Sequence, residues 1–382
     1  MPAAKHKILV LDATNQNTLA IVRSLGAAGY EIHVAGYQAS APAFFSIYCK
    51  RKIRMPSPVR DESGFAKALL QALASENYLL VMPVGFGSYK VCAAIQDKIR
   101  ERTKLIVTSK ENITLASGKD ETYALAEQLG IPFPKTFKPA SQEELSKLNL
   151  QFPVVIKAPF ESGKNVVEYA RNETELKRKF DSMCRRNNYS APHLPLLQEY
   201  VEGDGYGFFA YYENGICKRI FMHHRIREYP VTGGASVCAE SFRDENLKAL
   251  GKRMLDYLKW DGVAMVEFKK DNRSGEYKLM EINPKFWGSL ELAIVAGVDF
   301  PGMLVKRAGG FPVEAGEEYS QITFQWMLNG ELYHFLERPS SFFRILSTCF
   351  RSKKDFRWSD PVPHVLQFLF IFIHYYKKLT GR

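Results

Sequence analysis

The sequence lacks the paired cysteines that mark a zinc module or a disulfide framework. Its 382 residues include six cysteines, and none forms a Cys-x-x-Cys pair, so we expect reduced thiols in a cytosolic protein. The short apolar run at residues 8–11 predicts a strand rather than the hydrophobic region of a secretory signal. We therefore expect a cytoplasmic location and exclude a disulfide-stabilised scaffold.

The apolar segment near the C-terminus is too short to cross a membrane. Residues 362–376 read VPHVLQFLFIFIHYY, and their apolar core is about a dozen residues long, where a bilayer requires roughly 20. Basic residues flank this core at Lys377, Lys378 and Arg382. The pattern predicts a buried or interfacial helix, so a peripheral membrane association through the tail stays open.

Two further motifs are absent from the sequence, and each absence argues against a class of function. The loop LDATNQNT, which follows the first predicted strand, has no G-x-G-x-x-G fingerprint, so a dinucleotide cofactor is not expected. No Ser/His/Asp or Cys/His triad is apparent. The 52 Lys and Arg residues against 41 Asp and Glu give a net charge of +11, which favours anionic partners. These basic residues are dispersed and match no nucleic-acid-binding signature, so nucleic acid is not an expected partner.

The first part of the chain alternates between short apolar strands and amphipathic helices. Strands are predicted at residues 7–12, 31–36, 78–83 and 105–107, and helices between them at 65–74 and 89–100. Strands that alternate with helices form parallel sheets. This pattern predicts an N-terminal α/β lobe with a doubly wound parallel sheet.

Between residues 115 and 310 the pattern changes to strand-rich α+β. Helices are predicted at residues 119–129, 141–148, 174–187 and 244–258, and the strands are FPVVIKAP, NVVEYA, LLQEYV, YGFFAYYENG, ICKRIFMHHRI, VAMVEFKKD and EYKLMEINP. This order of strands and helices leaves few places where a helix could connect two parallel strands. We expect a second part of different architecture, followed by a short helical tail.

Near the end of this region, the sequence predicts that three oxygen-bearing side chains lie close together. Residues two apart on a strand point to the same face, so Glu281 and Asn283 aim their oxygens together. Glu267 lies on the neighbouring strand of a predicted hairpin. Burying such a set is unfavourable unless a hard cation neutralises it, and Mg²⁺ binds carboxylate and amide oxygens together with substrate phosphates. The open alternative is a pair of solvated carboxylates balanced by lysines.

These residues make the sequence resemble the ATP-grasp superfamily, in its carboxylate–amine ligase and carbamoyl-phosphate-synthase-like branch. The run MEINPKFWGSLELA is close to the family's E-I-N-P-R-F-W-G-S pattern. The resemblance implies a pre-ATP-grasp Rossmann-like domain (1–114), a small lid subdomain (115–200), a C-terminal subdomain with the metal site (201–310) and a partly helical extension (311–382). Lys285 stands where the family usually has arginine. A lysine keeps the charge but loses the bidentate fork, so its effect stays open.

The cofactors that the resemblance implies are ATP and Mg²⁺, with two ions bound and Mn²⁺ able to replace them. The family's metal ligands match the three oxygen-bearing residues described above. Its two nucleotide lysines match Lys119, which opens a predicted helix, and Lys157, which ends a predicted strand. Its glycine loop, which folds over the phosphates, matches Ser162, Gly163 and Lys164.

The segment LQEYVEGD, residues 197–204, resembles the family's hinge between the two lobes that hold the nucleotide. The resemblance implies that adenine binds the backbone of Glu199 and Val201. It also implies an acidic side chain that holds the ribose, for which Glu202 and Asp204 are both candidates.

Two arginines follow on a predicted strand. Alternation places Arg225 and Arg227 on one face, where their guanidinium groups could bind a carboxylate or the transferred phosphoryl group. With Lys285 they form the expected catalytic set. The next residues, Gly233 and Gly234, allow the backbone to approach a ligand closely.

The function that these residues predict is an ATP-dependent ligase. It activates a carboxylate as an acyl phosphate and joins it to an amine, with release of ADP and phosphate, so its partners are small-molecule carboxylates and amines. Two alternatives stay open: a carboxylase-type enzyme that uses bicarbonate, and a catalytically silent nucleotide-binding or membrane-surface adaptor. A homodimer also stays open.

Overall fold

Three β-sheets organise the part of the protein that the computed structural model describes, residues 6–160 and 167–380. One four-stranded sheet lies near the N-terminus, and a second four-stranded sheet is built from the middle of the chain. The third sheet has seven strands. Strands of the second and third sheets and loops that follow strands of the first line one cleft, so the fold positions the candidate site where these parts meet.

The N-terminal sheet is parallel, with the strand order β3-β2-β1-β4. Helices cover it, so Ile8, Leu9 and Val10 are fully buried along one continuous apolar strand. This confirms the predicted α/β lobe. Its elements are β1 (Lys7–Val10), α1 (Gln16–Ala27), β2 (Glu31–Gly36), β3 (Cys49–Arg54), α2 (Glu62–Ser75), β4 (Tyr78–Met82), α3 (Phe86–Ala94) and α4 (Gln96–Arg100).

The N-terminal sheet differs from the prediction at three points. Residues 105–107 form no strand, and the chain makes only an isolated bridge between Leu80 and Lys104. β3 was not predicted, because its sequence CKRKIR belongs to a largely exposed edge strand and lacks an apolar alternation. The predicted helix 89–100 is divided at Ile95 into two helices.

The second sheet is antiparallel, with the strand order β5-β8-β6-β7. Its helix α7 buries Leu176, Phe180 and Met183, which are three or four residues apart and therefore share one helix face. The predicted helix 141–148 is instead a 3₁₀ turn at Glu143–Lys147. The elements of this region are α5 (Lys110–Ser117), α6 (Lys119–Gln128), β5 (Thr136–Phe137), β6 (Val154–Lys157), β7 (Val167–Ala170), α7 (Glu173–Asn187) and β8 (Leu196–Glu199).

The seven-stranded sheet has the strand order β13-β12-β9-β10-β11-β14-β15. Its central strand β9 is buried along nearly its whole length. Strand β11 was not predicted, because its sequence ASVCAES follows directly after the glycine turn and is only weakly apolar. The elements up to residue 308 are β9 (Gly205–Glu213), β10 (Ile216–Tyr229), β11 (Ala235–Ser241), α8 (Glu245–Tyr257), β12 (Gly262–Lys270), β13 (Tyr277–Asn283), α9 (Leu290–Val295) and α10 (Phe300–Ala308).

The C-terminal extension packs against the seven-stranded sheet and against the N-terminal lobe. Strand β14 pairs with β11 and enlarges the seven-stranded sheet, while a buried ion pair joins Asp360 of the extension to Arg23 of α1. The last helix confirms the helix predicted in the tail, and no helix in the described ranges is long and apolar enough to traverse a bilayer. The elements of the extension are β14 (Thr323–Gln325), α11 (Leu332–Glu337), α12 (Phe342–Cys349), β15 (Lys353–Lys354) and α13 (Val362–Thr380).

Candidate active site

A cleft of about 480 Å³ lies where the three sheets meet. The loops after β1 and β4 supply one wall, through Asn15 and Gly85. Strands β6, β7 and β8 of the second sheet supply the opposite wall, and β12 and β13 of the large sheet form the floor. The cleft therefore brings together residues that are far apart in the sequence.

The floor of the cleft carries two carboxylates that face each other. Strands β12 and β13 are antiparallel, and Glu267 lies directly opposite Glu281 in their register. The Asn283 amide nitrogen donates a hydrogen bond of 2.8 Å to Glu281 Oε1. The structure therefore brings together all three predicted metal ligands on one face of the hairpin. Like charges directly opposite on a sheet repel each other, so this arrangement requires cations nearby.

Protein cations stand beside both carboxylates. The Arg225 guanidinium lies 3.2 Å from Glu267 Oε2, and the Lys119 ammonium lies 3.5 Å from Glu281 Oε2. Burial raises the pKa of Glu267, although Arg225 opposes this effect. Burial acts in the same direction on Glu281, but Lys119 and the Asn283 amide outweigh it and lower the pKa of Glu281. Glu281 therefore carries its charge at neutral pH.

The donor set suits a magnesium ion that shares its coordination with a ligand. Within residues 6–160 and 167–380, no group of three or more His, Cys, Asp and Glu side chains is placed to hold a metal ion. The predicted set has instead two carboxylates and one amide. Mg²⁺ is usually bound by one or two carboxylates, with water and substrate phosphates in its other positions. The three side chains therefore fit a metal–nucleotide complex better than an all-protein cage.

The lysines lie around this floor. Lys119 begins α6, and its side chain is 14% exposed. Lys157 ends β6 and lines the cleft from the second sheet. Lys285 also lines the cleft, and its ammonium donates a hydrogen bond of 2.9 Å to Asn283 Oδ1. Lys285 therefore contacts the proposed metal ligand set directly.

The predicted hinge lines the cleft through Glu199, Tyr200 and Val201. The Glu199 backbone N–H donates to the Lys135 carbonyl, and Glu199 Oε1 accepts a hydrogen bond of 2.6 Å from Lys278. Contacts with the second sheet and with β13 thus hold the hinge in place. The predicted contact of this backbone with adenine stays a prediction.

The two candidate ribose ligands, Glu202 and Asp204, do not line the cleft. Both residues are exposed, and Asp204 pairs with His224 at 3.2 Å. The turn packs against β12: Asn272 donates to the Glu202 carbonyl, and a Cβ atom at Gly203 would lie 1.8 Å from Lys270 O. This close packing directs both acids away from the cleft. The sequence pattern does not reveal this packing.

The two arginines of β10 do not both line the cleft, as the predicted catalytic set required, although both line a neighbouring cavity. The pairing of β10 with β11 is irregular between Arg225 and Arg227, so simple alternation fails there. Arg225 lines the cleft, whereas Arg227 lies outside it and donates to both carboxylate oxygens of Glu331, with Nε–O distances of 3.0 Å. Glu331 belongs to the extension, which the sequence pattern did not connect to this strand.

The glycine turn after β10 forms part of the cleft wall. Gly233 has a φ of 132°, and a Cβ atom at Gly234 would lie 2.1 Å from Tyr229 O. No other residue fits at Gly234 without moving the backbone. The predicted glycine loop with Ser162, Gly163 and Lys164 lies outside the described residues.

The sequence interpretation missed two charged residues of the cleft. Lys269 lies two residues after Glu267 on β12, and its ammonium donates to Val201 O at 3.1 Å. Burial lowers the pKa of Lys269. Glu228 lines the cleft and accepts a hydrogen bond of 3.3 Å from Arg225. Strand alternation from Glu267 could have identified Lys269, whereas the irregular pairing of β10 concealed Glu228.

Comparison with known proteins gives a match to a family model, matches to related sequences and matches to solved structures. Residues 209–328 match the model of a family described as ATP-grasp in the biosynthetic pathway with Ter operon. Over 228 residues the chain is 26% identical to the carbamoyl phosphate synthase large chain, N-terminal section, of Methanopyrus kandleri. The match covers 55% of this chain and 36% of that relative, so the chain spans little more than a third of the relative's length.

Two solved structures resemble the fold. Biotin carboxylase from Campylobacter jejuni, in a complex with an ATP analogue, has a TM-score of 0.67 and 15% identity over 83% of this chain and 73% of that one. The L-amino acid ligase from Bacillus licheniformis has a TM-score of 0.62 and 13% identity over 80% of this chain and 74% of that one. At these identities the likeness concerns the fold.

Proposed function

Because its family match, its relatives and its fold place the chain in the ATP-grasp superfamily, we propose that it is a magnesium-dependent ligase. It uses ATP to activate a carboxylate as an acyl phosphate and joins that carboxylate to an amine. The observation that carries this proposal is the facing pair of Glu267 and Glu281, with Asn283 beside them and lysines around them, on the floor of a large cleft.

Each charged group of the cleft has a role in this proposal. Glu267, Glu281 and Asn283 hold the metal, for which we propose two Mg²⁺ ions that Mn²⁺ can replace. Bound Mg²⁺ neutralises charge on the triphosphate. Lys119 and Lys157, which line the cleft, bind the phosphates, and the resemblance assigns a phosphate-binding role to residues 162–164 as well. The hinge backbone at residues 199–201 receives the adenine.

The reaction requires little covalent chemistry from the protein. A carboxylate oxygen of the substrate attacks the γ-phosphorus and ADP leaves. The amine nitrogen then attacks the acyl carbon, loses a proton, and phosphate leaves. Arg225 lies beside Glu267 and stabilises negative charge on the group that is transferred, while the closed lobes exclude water. Lys285 holds Asn283 and stays near the same phosphates.

We also propose a division of labour among the predicted domains. Residues 1–114 supply the wall at the carboxyl ends of the parallel strands, 115–200 supply the lid, 201–310 supply the metal site, and 311–382 enclose the far side of β10. A cytoplasmic location, where ATP is available and free thiols stay reduced, fits the six unpaired cysteines.

A carboxylase-type reaction with bicarbonate is the second candidate. The observation that favours it is the similarity to biotin carboxylase and to a carbamoyl phosphate synthase chain. The floor of the cleft serves both reactions, because carboxyphosphate is also an acyl phosphate. A catalytically silent adaptor is less well supported, since all three metal-ligand side chains converge on the cleft.

The experiment that tests the proposal is a measurement of ADP release from ATP with the full chain. We expect release that depends on Mg²⁺, stops with EDTA and increases with a carboxylate and an amine supplied together. The substrates to screen are amino acids, uronic acids and bicarbonate. Stimulation by bicarbonate alone would overturn the amide-ligase assignment in favour of the carboxylase, and failure to bind Mg²⁺–nucleotide would overturn both.

A further inference from the structure

A second cavity, of about 390 Å³, lies next to the cleft and has a strongly basic lining. The end of β10 forms one side, and helices α11 and α12 of the extension form the other. Four arginines reach it: Arg225 and Arg227 from β10, and Arg338 and Arg344 from the extension. His334 also lines the cavity, together with two carboxylates, Asp204 and Glu228.

The two arginine pairs differ in their protein partners. Arg225 pairs with Glu228 and Glu267, and Arg227 pairs with Glu331, so the protein itself balances both charges. Arg338 and Arg344 are exposed. Among the residues that the structure describes, neither forms an ion pair with an Asp or Glu side chain within 4.0 Å. Two carboxylates also line the cavity, but Glu228 pairs with Arg225 and Asp204 pairs with His224. Arg338 and Arg344 are therefore the two guanidinium groups of the cavity that no described carboxylate approaches within 4.0 Å.

The basic lining is held in place by contacts within the protein. The His334 Nδ1–H donates to the Glu228 carbonyl at 2.7 Å, which anchors α11 to β10. Ser341 donates its hydroxyl hydrogen to the Arg338 carbonyl at 2.7 Å, which fixes the turn between α11 and α12. The two helices are thereby positioned before any ligand binds, so the entropy lost when an anion enters is mainly that of ordering the Arg338 and Arg344 side chains.

Arg225 and Glu228 line both cavities and form the wall that they share. Arg225 also contacts Glu267, one of the proposed metal ligands. A molecule with one end near Arg225 and the other near Arg338 and Arg344 would extend from the reacting centre into the second cavity. The geometry thus connects the unbalanced positive charges to the site of phosphoryl transfer.

We propose that this second cavity binds an oxyanion carried by the non-nucleotide substrate, at the end remote from the bond that forms. The inference rests on the proposed function and adds a substrate class to it: a small molecule with about two negative charges, a phosphate monoester or a dicarboxylate. Guanidinium groups bind both kinds of oxyanion through paired hydrogen bonds, and a phosphate monoester carries about −1.5 to −2 charges at pH 7.

Anion binding to the nucleotide-loaded protein tests the proposal. A saturating non-hydrolysable ATP analogue with Mg²⁺ first fills the cleft, so that a second anion cannot bind at the phosphate site. Inorganic phosphate and succinate are then titrated separately by calorimetry, because the two probes distinguish the phosphate source from the dicarboxylate source. We expect the wild type to bind about one equivalent of at least one probe, with an affinity that falls as salt concentration rises.

The double variant Arg338→Gln/Arg344→Gln removes the two unbalanced charges. Both residues are exposed, so we expect the variant to fold and to keep its affinity for the Mg²⁺–ATP analogue. Its affinity for the anion probe should fall by roughly tenfold or more. Arg351→Gln is the matched control, because Arg351 is an exposed arginine of the same extension that lines neither cavity.

The outcomes separate this inference from the proposed function. If the wild type binds the nucleotide analogue but neither anion, or if the double variant binds the anion as tightly as the wild type, the second cavity is not an oxyanion site. The same holds if Arg351→Gln weakens anion binding equally. If the wild type does not bind the nucleotide analogue at all, the proposed function fails, whatever the anion titration shows.

Discussion

Two clusters of charge, one half-buried in the cleft and one buried at the interface of the extension, differ in how they are balanced. In the cleft, two carboxylates face each other, and their cations are Lys119 and Arg225 at 3.5 and 3.2 Å. At the interface of the extension, Arg23 Nε donates to Asp360 Oδ2 at 2.8 Å, and both side chains are almost completely buried. The first cluster combines like charges, whereas the second combines opposite charges at close range.

The interface cluster satisfies its own hydrogen bonds. Asp360 also accepts from the Ser46 hydroxyl and the Ile47 N–H, and Arg23 also donates to His364 Nε2. Burial, together with Arg23, lowers the pKa of His364 to about 4, so this ring is neutral when it accepts. A cluster of this kind stabilises a contact between two parts of the chain. The cleft cluster retains ligand-accessible charge, which a metal–nucleotide complex can use.

The largest expected effect comes from Glu281→Gln in the cleft. The change removes a carboxylate from the proposed metal set while keeping the shape of the side chain, so we expect turnover to fall by roughly 10³-fold and Mg²⁺–nucleotide binding to weaken. The fold should be retained. Glu276→Gln is the control, because Glu276 is exposed in the turn of the same hairpin. Near-normal ADP release by Glu281→Gln would remove this residue from the site.

The next effect comes from Asp360→Asn at the interface. It leaves the buried Arg23 guanidinium without its counter-charge, so we expect the free energy of unfolding to fall by about 3 kcal/mol. Urea denaturation measures this change. Glu318→Gln is the control, since the Glu318 side chain is 90% exposed in its pair with Arg243 and should contribute less than about 1 kcal/mol. An equal loss of stability in both variants would contradict the difference between the two clusters.

The smallest expected effect, counted per pH unit, is a pH dependence of stability at the interface. Burial and the neighbouring Asp355 raise the pKa of Glu291 from 4.5 to about 7. The folded protein therefore binds more protons than the unfolded chain between these values, and its stability should fall as pH rises through this window, by up to about 1.4 kcal/mol per pH unit. Denaturation between pH 4.5 and 8 measures the slope.

Glu291→Gln tests the source of that slope. The amide cannot titrate, so the decline in stability between pH 4.5 and 7 should become shallower. A smaller decline should persist, because burial also raises the pKa of Asp355 to about 6. An unchanged slope in Glu291→Gln would show that other groups cause the pH dependence. Glu281 in the cleft should show the opposite trend at lower pH: its pKa is lowered from 4.5 to about 2, so its contribution to stability is lost as pH falls from 4.5 towards 2.

The metal-site hairpin was predictable because its information is local. Alternation on one strand places Glu281 and Asn283 on the same face, and a short hairpin brings Glu267 opposite Glu281. Both relations depend only on the period of a strand and the length of a turn. The parallel N-terminal lobe was predictable for the same reason, since its strands and helices alternate at short range.

Predictions failed where packing between distant segments decides orientation. Arg227 leaves the cleft because the pairing of β10 is irregular and because Glu331, 104 residues later, binds its guanidinium. Glu202 and Asp204 turn outward because their loop packs on β12 at Gly203. No periodicity within either segment encodes these contacts.

The amino-acid order alone therefore specified most of the strands and helices and the acidic hairpin, because these follow from short-range spacing. The tertiary structure decided which residues pair with each charged side chain. It determined which arginine faces the cleft, which arginine the extension binds, and where the second basic cavity forms. The physical reason is that an ion pair depends on distances of a few ångströms between segments far apart in the chain, and local patterns do not constrain such distances.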